Sequence, residues 1–172
     1  MKSASQRPES SARTLFVDDG LVVAELGRIC VAIWRGAVTW PRFDKQRWGL
    51  VEVVQRHPRG AGFLCVVETS ASPPDDRLRR ASIEMFEEHG DRVRCIAVAI
   101  EGAGFRAAIN RGVLSGMALL RSNKDAPARA FSTVVDALEW MAQRIPIEPG
   151  APTLVEEIRS SLGPPATGDR HV

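Results

Sequence analysis

Three places in the chain carry residue types that could do chemistry. The first is Glu101-Gly102-Ala103-Gly104-Phe105-Arg106. A glycine-rich turn from a strand into a helix bares backbone N–H groups at the helix N-terminus, and these can hold an anion. Arg106 and Arg111 would face such an anion or stand in solvent. As a dinucleotide fingerprint the stretch is loose. Ala107 stands where the last glycine belongs, and Asp125, the acidic residue at the right distance, precedes a strand instead of ending one. The competing use of the two glycines is a tight turn and close helix packing. The second place is a corner where Trp34, Trp40 and Trp48 cluster with Arg35 beside them. Such residues pack a core or, when exposed, anchor a partner. The third is Glu68, at the end of an apolar run. In open α/β sheets ligands gather beyond the carboxyl ends of parallel strands. That rule brings the loops after Trp34, Glu68 and Glu101 together.

Other chemistries lack their parts. Cys30, Cys65 and Cys95 each sit inside an apolar run with no C-x-x-C spacing, which reads as three buried, reduced thiols. His57 and His89 fall at helix ends with no Ser or Cys nucleophile near in sequence, so no triad is proposed. No metal site, no cofactor and no catalytic constellation is expected. A formal net charge of +2 on 172 residues is not the footprint of a nucleic-acid binder, which concentrates basic charge on one face. With 44% apolar and 26% charged residues the chain has the composition of a soluble globular domain. The polar N-terminus MKSASQRPESSART has no apolar core of a secretory signal, and no apolar run approaches the ~20 residues of a membrane span. The expectation is a cytoplasmic protein without membrane insertion.

The elements that position these residues follow from periodicity. Thr14 to Val17, Leu21 to Leu26 and Arg28 to Trp34 read as strands, the first two joined by the hairpin turn Asp18-Asp19-Gly20. A helix starts at Pro41 and runs to His57, before Pro58. Ala61 to Glu68 is a buried-type strand. Ser72, as N-cap, opens a second helix that Gly90 ends. Val93 to Ile100 is a strand, Gly102 to Leu120 a helix and Ala128 to Phe131 a short strand. A further helix, capped by Ser132, runs to Arg144. Thr153-x-x-Glu156 forms a capping box for a short amphipathic helix, Leu154 to Leu162, with Val155, Ile158 and Leu162 aligned. That helix packs on the body or docks a partner. The predicted organisation is a disordered arm over 1–13, an α/β domain over 14–145, and a linker, short helix and frayed tail over 146–172. The fold class is a mixed sheet with an N-terminal antiparallel hairpin and parallel central strands, packed by four helices.

This arrangement resembles the STAS domain family, in particular its divergent bacterial STAS/SEC14-like, anti-sigma-factor-antagonist-like branch. The resemblance rests on Trp34-Arg35-Gly36 ending a strand, on FLCVVE from Phe63 to Glu68, on the strand running into Glu101–Arg106, and on F-S-x-x-x-D-A-L-E-W from Phe131 to Trp140. It covers about Leu21 to Ile145. It implies a regulatory module rather than an enzyme, acting in bacterial signalling through a protein partner, such as a kinase or regulatory protein; separately, Gly112 and Gly116, four apart on the Gly102 to Leu120 helix, let the sheet or, second, a homodimer or partner helix approach closely. Many STAS domains carry a phosphorylatable Ser or Thr after the central strand, in an Asp-Ser-Ser-Gly type motif. Here that place reads Glu68-Thr69-Ser70-Ala71-Ser72-Pro73-Pro74, without the Asp or the Gly. The resemblance therefore points to Ser70, Ser72 and Thr69 as phosphoacceptor candidates. A phosphate there adds about two negative charges to one loop and can make or abolish a docking surface. The alternative that the SEC14-like similarity implies is a small-molecule or lipid-binding domain, with an apolar pocket near Trp34, Phe105 and Trp140.

Overall fold

The computed structural model describes residues 12–102 and 126–163. The expected helix from Gly102 to Leu120, with Gly104, Phe105, Arg106 and Arg111, lies outside these residues beyond Gly102.

The first half of the sheet is an antiparallel meander: β1 (Ala12–Val17), β2 (Leu21–Leu26) and β3 (Ile29–Trp34). Asp18 closes the β1–β2 turn by accepting the N–H groups of Gly20 and Leu21 at 2.8 Å each. From β3 the sheet continues in parallel through β4 (Ala61–Val67), β5 (Val93–Ile100) and β6 (Ala128–Phe131), so spatial order equals chain order. The apolar runs LVVAEL, broken only by Glu25, and ICVAIW have a physical reason. Both strands are buried at every residue, because helices cover the two faces of the sheet.

One face carries α1 (Trp40–Arg56) and α2 (Asp76–Glu87), which bury Phe43, Leu50, Val53, Val54, Leu78 and Met85 against the sheet. The polar Gln46 is buried there too, its Oε1 accepting the indole N–H of Trp34 at 2.8 Å. The other face carries α3 (Val134–Ala142) and α4 (Ala151–Ser160). Helix α3 lies over the parallel strands, and α4 lies over β1 and β2 beside α3. The observed class is the expected mixed α/β sheet; of the four helices expected to pack it three are described, and the short C-terminal helix joins them on the sheet.

The helix starts differ from expectation. Helix α2 is capped by Asp75, which accepts the Leu78 N–H at 2.8 Å, and not by Ser72. Asp75 is itself a strong capping residue, and the Pro73-Pro74 pair favours extended backbone before it. Ser72 instead stands in a bridge to Ala37. Helix α3 is capped by Thr133, accepting from Asp136 N at 3.1 Å, one residue past Ser132. Helix α4 begins at Ala151 after Gly150 (φ 75°), which puts Thr153 inside the helix and not at its cap. Pro152 in the first turn explains the earlier start, because proline has no N–H to leave unpaired.

Candidate functional site

Sheet register builds the site. Trp34, Val67 and Ile100 are partners in one row across β3, β4 and β5. The row extends by one residue, with Glu68 N–H donating to Trp34 O and Glu101 N–H to Val67 O, each at 2.9 Å. Trp34, Val67 and Ile100 point into the α1–α2 core. Strand alternation then turns Arg35, Glu68 and Glu101 towards the α4 side. Arg159, from the last turn of α4, meets them there.

The result is a ladder of alternating charge. Arg35 donates Nε to Glu68 Oε2 at 2.6 Å and Nη2 to Oε1 at 3.1 Å, a bidentate fork. Arg159 Nη1 donates to both Glu68 Oε1 (3.2 Å) and Glu101 Oε2 (2.8 Å), and its Nη2 to Glu101 Oε1 (2.7 Å). Arg159 Nε lies 3.1 Å from Glu156 Oε2, yet it is buried without a hydrogen bond. The second Nη of Arg35 reaches the Gly163 carbonyl just past α4. The Glu68 carboxylate is almost enclosed, with 11% of its side chain exposed. Hydrogen bonding to Glu101 raises the Arg159 pKa against the opposing cost of burial, and Glu68 does the same for Arg35. Both guanidiniums thus stay charged. The ladder contains no nucleophile, and its carboxylates are occupied by donors. It ties the strand ends to α4 as a charge lock, and offers no acid–base pair.

The surrounding loops hold the ladder in register. Arg35 and Gly36 donate their N–H groups to Gly20 O at 2.8 and 3.0 Å. Arg42 lies against Gly20 and Gly36, where a methyl on either would meet its guanidinium at 2.5 and 2.9 Å. It binds Asp18 Oδ2 (2.9 Å), Asp19 and the Ala37 carbonyl (3.1 Å). Partial burial pushes the Asp18 carboxyl up, but Arg42 and the N–H groups of Gly20 and Leu21 outweigh it and hold it below the usual carboxylate value. Gly102 has φ 85°, and a Cβ there would stand 2.1 Å from Thr69 Cγ2, so the loops after β4 and β5 touch at a point only glycine fits.

Of the residues singled out in sequence, Arg35, Glu68 and Glu101 converge and Gly102 packs beside them. Thr69, Ser70 and Ser72 are exposed on the adjoining loop. Ser70 Oγ donates to the Arg35 carbonyl at 2.8 Å. Trp34 corrects the expectation of a partner surface: it is 3% exposed beneath α1 and presents nothing to a partner. The expected Trp34–Phe105–Trp140 pocket is also corrected, because Trp34 and Trp140 lie in cores on opposite faces of the sheet. Phe105, Gly104 and Arg106 lie outside the described residues. Sequence reasoning missed Arg159 and Arg42. The free cysteines are buried or half-buried, with desolvation pushing Cys65 up to about 12 and Cys95 to about 11. No described helix is long and apolar enough to cross a membrane.

No protein-family model matches the chain, and no curated protein matches it. Among solved structures it is similar to an uncharacterised protein of the DUF3478 family with a SpoIIAA-like fold, from Shewanella loihica PV-4. The two share 14% identity over 70% of this chain and 93% of that chain, with a TM-score of 0.47.

Proposed function

We propose that this chain is a non-catalytic, STAS-like regulatory or scaffold module of a bacterial cytoplasm. It acts by binding a protein partner, and phosphorylation of Ser70 modulates that binding. The observation that carries the reading is the position of Ser70. Its hydroxyl is exposed and bonded to the backbone of Arg35, whose guanidinium is the first rung of the charge ladder. A phosphate on that hydroxyl removes the proton it donates to the Arg35 carbonyl and adds about two negative charges to the loop beside the ladder. The mutual engagement of Arg35, Glu68, Arg159 and Glu101 favours a binding role over catalysis, since no group there is free to move a proton.

The test is intact mass and phosphopeptide mapping of protein isolated from its native cells, with affinity capture by wild type, Ser70→Ala and Ser70→Asp. A stoichiometric partner captured differently by the last two supports the proposal. Absence of phosphate at Ser70, Thr69 and Ser72 together with identical capture by all three proteins overturns the switch. A monodisperse protein that captures nothing overturns the module.

A further inference from the structure

Helix α4 stands apart from the rest of the body in how it is held. It follows a linker containing Pro146, Pro149 and Gly150 (φ 75°). Its inner residues are Ala151, Val155, Ile158 and, just beyond, Leu162, at steps of four, three and four. They belong to the core that includes Val22, Ala24 and Leu26 of β2, and α4 rests on β1 and β2. A ten-residue helix does not hold its shape alone in water, so α4 is folded only while docked. The burial of Ala151, Val155, Ile158 and Leu162 is set against the ordering of the whole segment. The ionic end then decides whether it stays.

That end is costly chemistry for a mere fastener. Burying a guanidinium together with its two carboxylates costs desolvation that a wholly apolar set of similar volume would avoid; replacing the whole set is often neutral or stabilising, whereas removing Arg159 alone leaves two carboxylates without their partner. What a buried ion pair adds is selection: it accepts one charge pattern and rejects others. Arg159 is matched to Glu68 and Glu101, and Arg35 bridges Glu68 to the Gly163 carbonyl, so one guanidinium feels both the strand ends and the end of α4.

We propose that α4 is a detachable strap whose Arg159 acts as an internal ligand, keeping the Glu68–Glu101 notch closed until a partner helix of the same chemistry displaces it. That helix carries apolar residues at steps of four, three and four, with an arginine directly after the third. Charge complementarity names it: with Arg159 withdrawn, two carboxylates face the single guanidinium of Arg35, and the groove beside them is lined by apolar β2 residues. The partner's identity as a protein rests on the interaction-module reading above; the detachment of α4 does not, and neither depends on Ser70.

The experiment uses the full chain in two measurements. The first is hydrogen exchange of wild type and Arg159→Met. The second is fluorescence anisotropy with a labelled synthetic peptide of residues 148–163, in its natural form and with Arg159→Met, added to wild type, Arg159→Met and Arg159→Met/Glu101→Gln proteins. In wild type, α4 amides should exchange at least about tenfold faster than those of β3 and β4, the mark of sub-global opening. In Arg159→Met the α4 rate should rise further, by about tenfold, with β3 and β4 unchanged, which also shows that the variant is folded. The natural peptide should bind the Arg159→Met protein about tenfold more tightly than wild type, because the internal competitor is weakened. Adding Glu101→Gln to the Arg159→Met protein should weaken binding of the natural peptide relative to Arg159→Met alone, and so should removing the arginine from the peptide. Exchange of α4 in step with β3 and β4 overturns the strap. Equal binding of the two peptides overturns the arginine ligand. A failed partner capture alongside positive exchange and peptide results counts against the module reading and leaves the strap standing.

Discussion

Gly102→Ala should damage the strand-end site in two separable ways. The first is conformational: φ at this position is 85°, and an L residue in the left-handed region costs about 1–2 kcal/mol. The second is steric. The new Cβ would stand 2.1 Å from Thr69 Cγ2, a separation no real pair of carbons holds, while the next Thr69 atoms lie at 3.3 Å (Cβ) and 3.8 Å (Cα). Forcing one methylene into such a contact costs about 1–3 kcal/mol. The sum is about 3 kcal/mol, or roughly 6–12 °C in Tm for a chain of this size. Because a single atom makes the clash, Thr69→Ser removes it and leaves the hydroxyl in place. Thr69 is exposed, so Thr69→Ser alone should change stability by less than about 0.5 kcal/mol. In Gly102→Ala/Thr69→Ser the steric part should return and the backbone part remain, leaving about 1–2 kcal/mol of loss. Urea unfolding of the four proteins reads this directly, provided the m-value stays constant. A neutral Gly102→Ala, or a double variant no more stable than the single one, would refute the placement of the two loops.

Three further outcomes follow from the charges and thiols. Glu68→Gln should destabilise by about 2–4 kcal/mol in urea unfolding, since the carboxylate is largely enclosed and two guanidiniums lose the negative charge they share; a change below about 0.5 kcal/mol would show that the ladder is solvated. The folded pKa of Asp18 is depressed, so its contribution is present above the unfolded value of ~3.9 and is lost as pH falls through the lower folded value. Urea midpoints should therefore drop below about pH 4, and Asp18→Asn should flatten that limb; an unchanged limb would count against the Arg42–Asp18 pair. Burial pushes the Cys65 thiol to about 12 and Cys95 to about 11, and Cys30 higher still, so iodoacetamide at pH 8 should label none of the three until urea unfolds the protein. Rapid labelling of the native protein would contradict that.

The strands were the legible part of this fold. Leu21–Leu26, Val93–Ile100 and Ala128–Phe131 stand where the apolar runs and their Gly, Asp and Pro borders place them. Such runs announce strands because β-prone apolar residues dominate them, each run carrying a single charged residue (Glu25, Arg94 or Arg129). Helix starts were less legible because capping chemistry is degenerate. Ser72 and Asp75 can both cap, and the fold uses Asp75; Ser132 and Thr133 can both cap, and the fold uses Thr133. Thr153-x-x-Glu156 has the letters of a capping box, yet Gly150-Ala151-Pro152 opens the helix earlier.

The candidate site divides along the same line. Arg35, Glu68 and Glu101 could be grouped from sequence because parallel strands in register bring their first residues past the carboxyl ends side by side. Arg159 could not, since it lies 91 residues from Glu68, on a helix whose apolar stripe marks its inner face but not which strand end its last turn will reach. Charge arithmetic carries a clue that periodicity lacks. Arg35, Glu68 and Glu101 together sum to −1, and the Glu68 carboxylate is largely enclosed, so a further cation beside them is stabilising. Strand alternation turns all three side chains to the side opposite α1 and α2, where an element lying on that side can supply it. Helix α4 meets that condition, and Arg159 is the cation of its last turn.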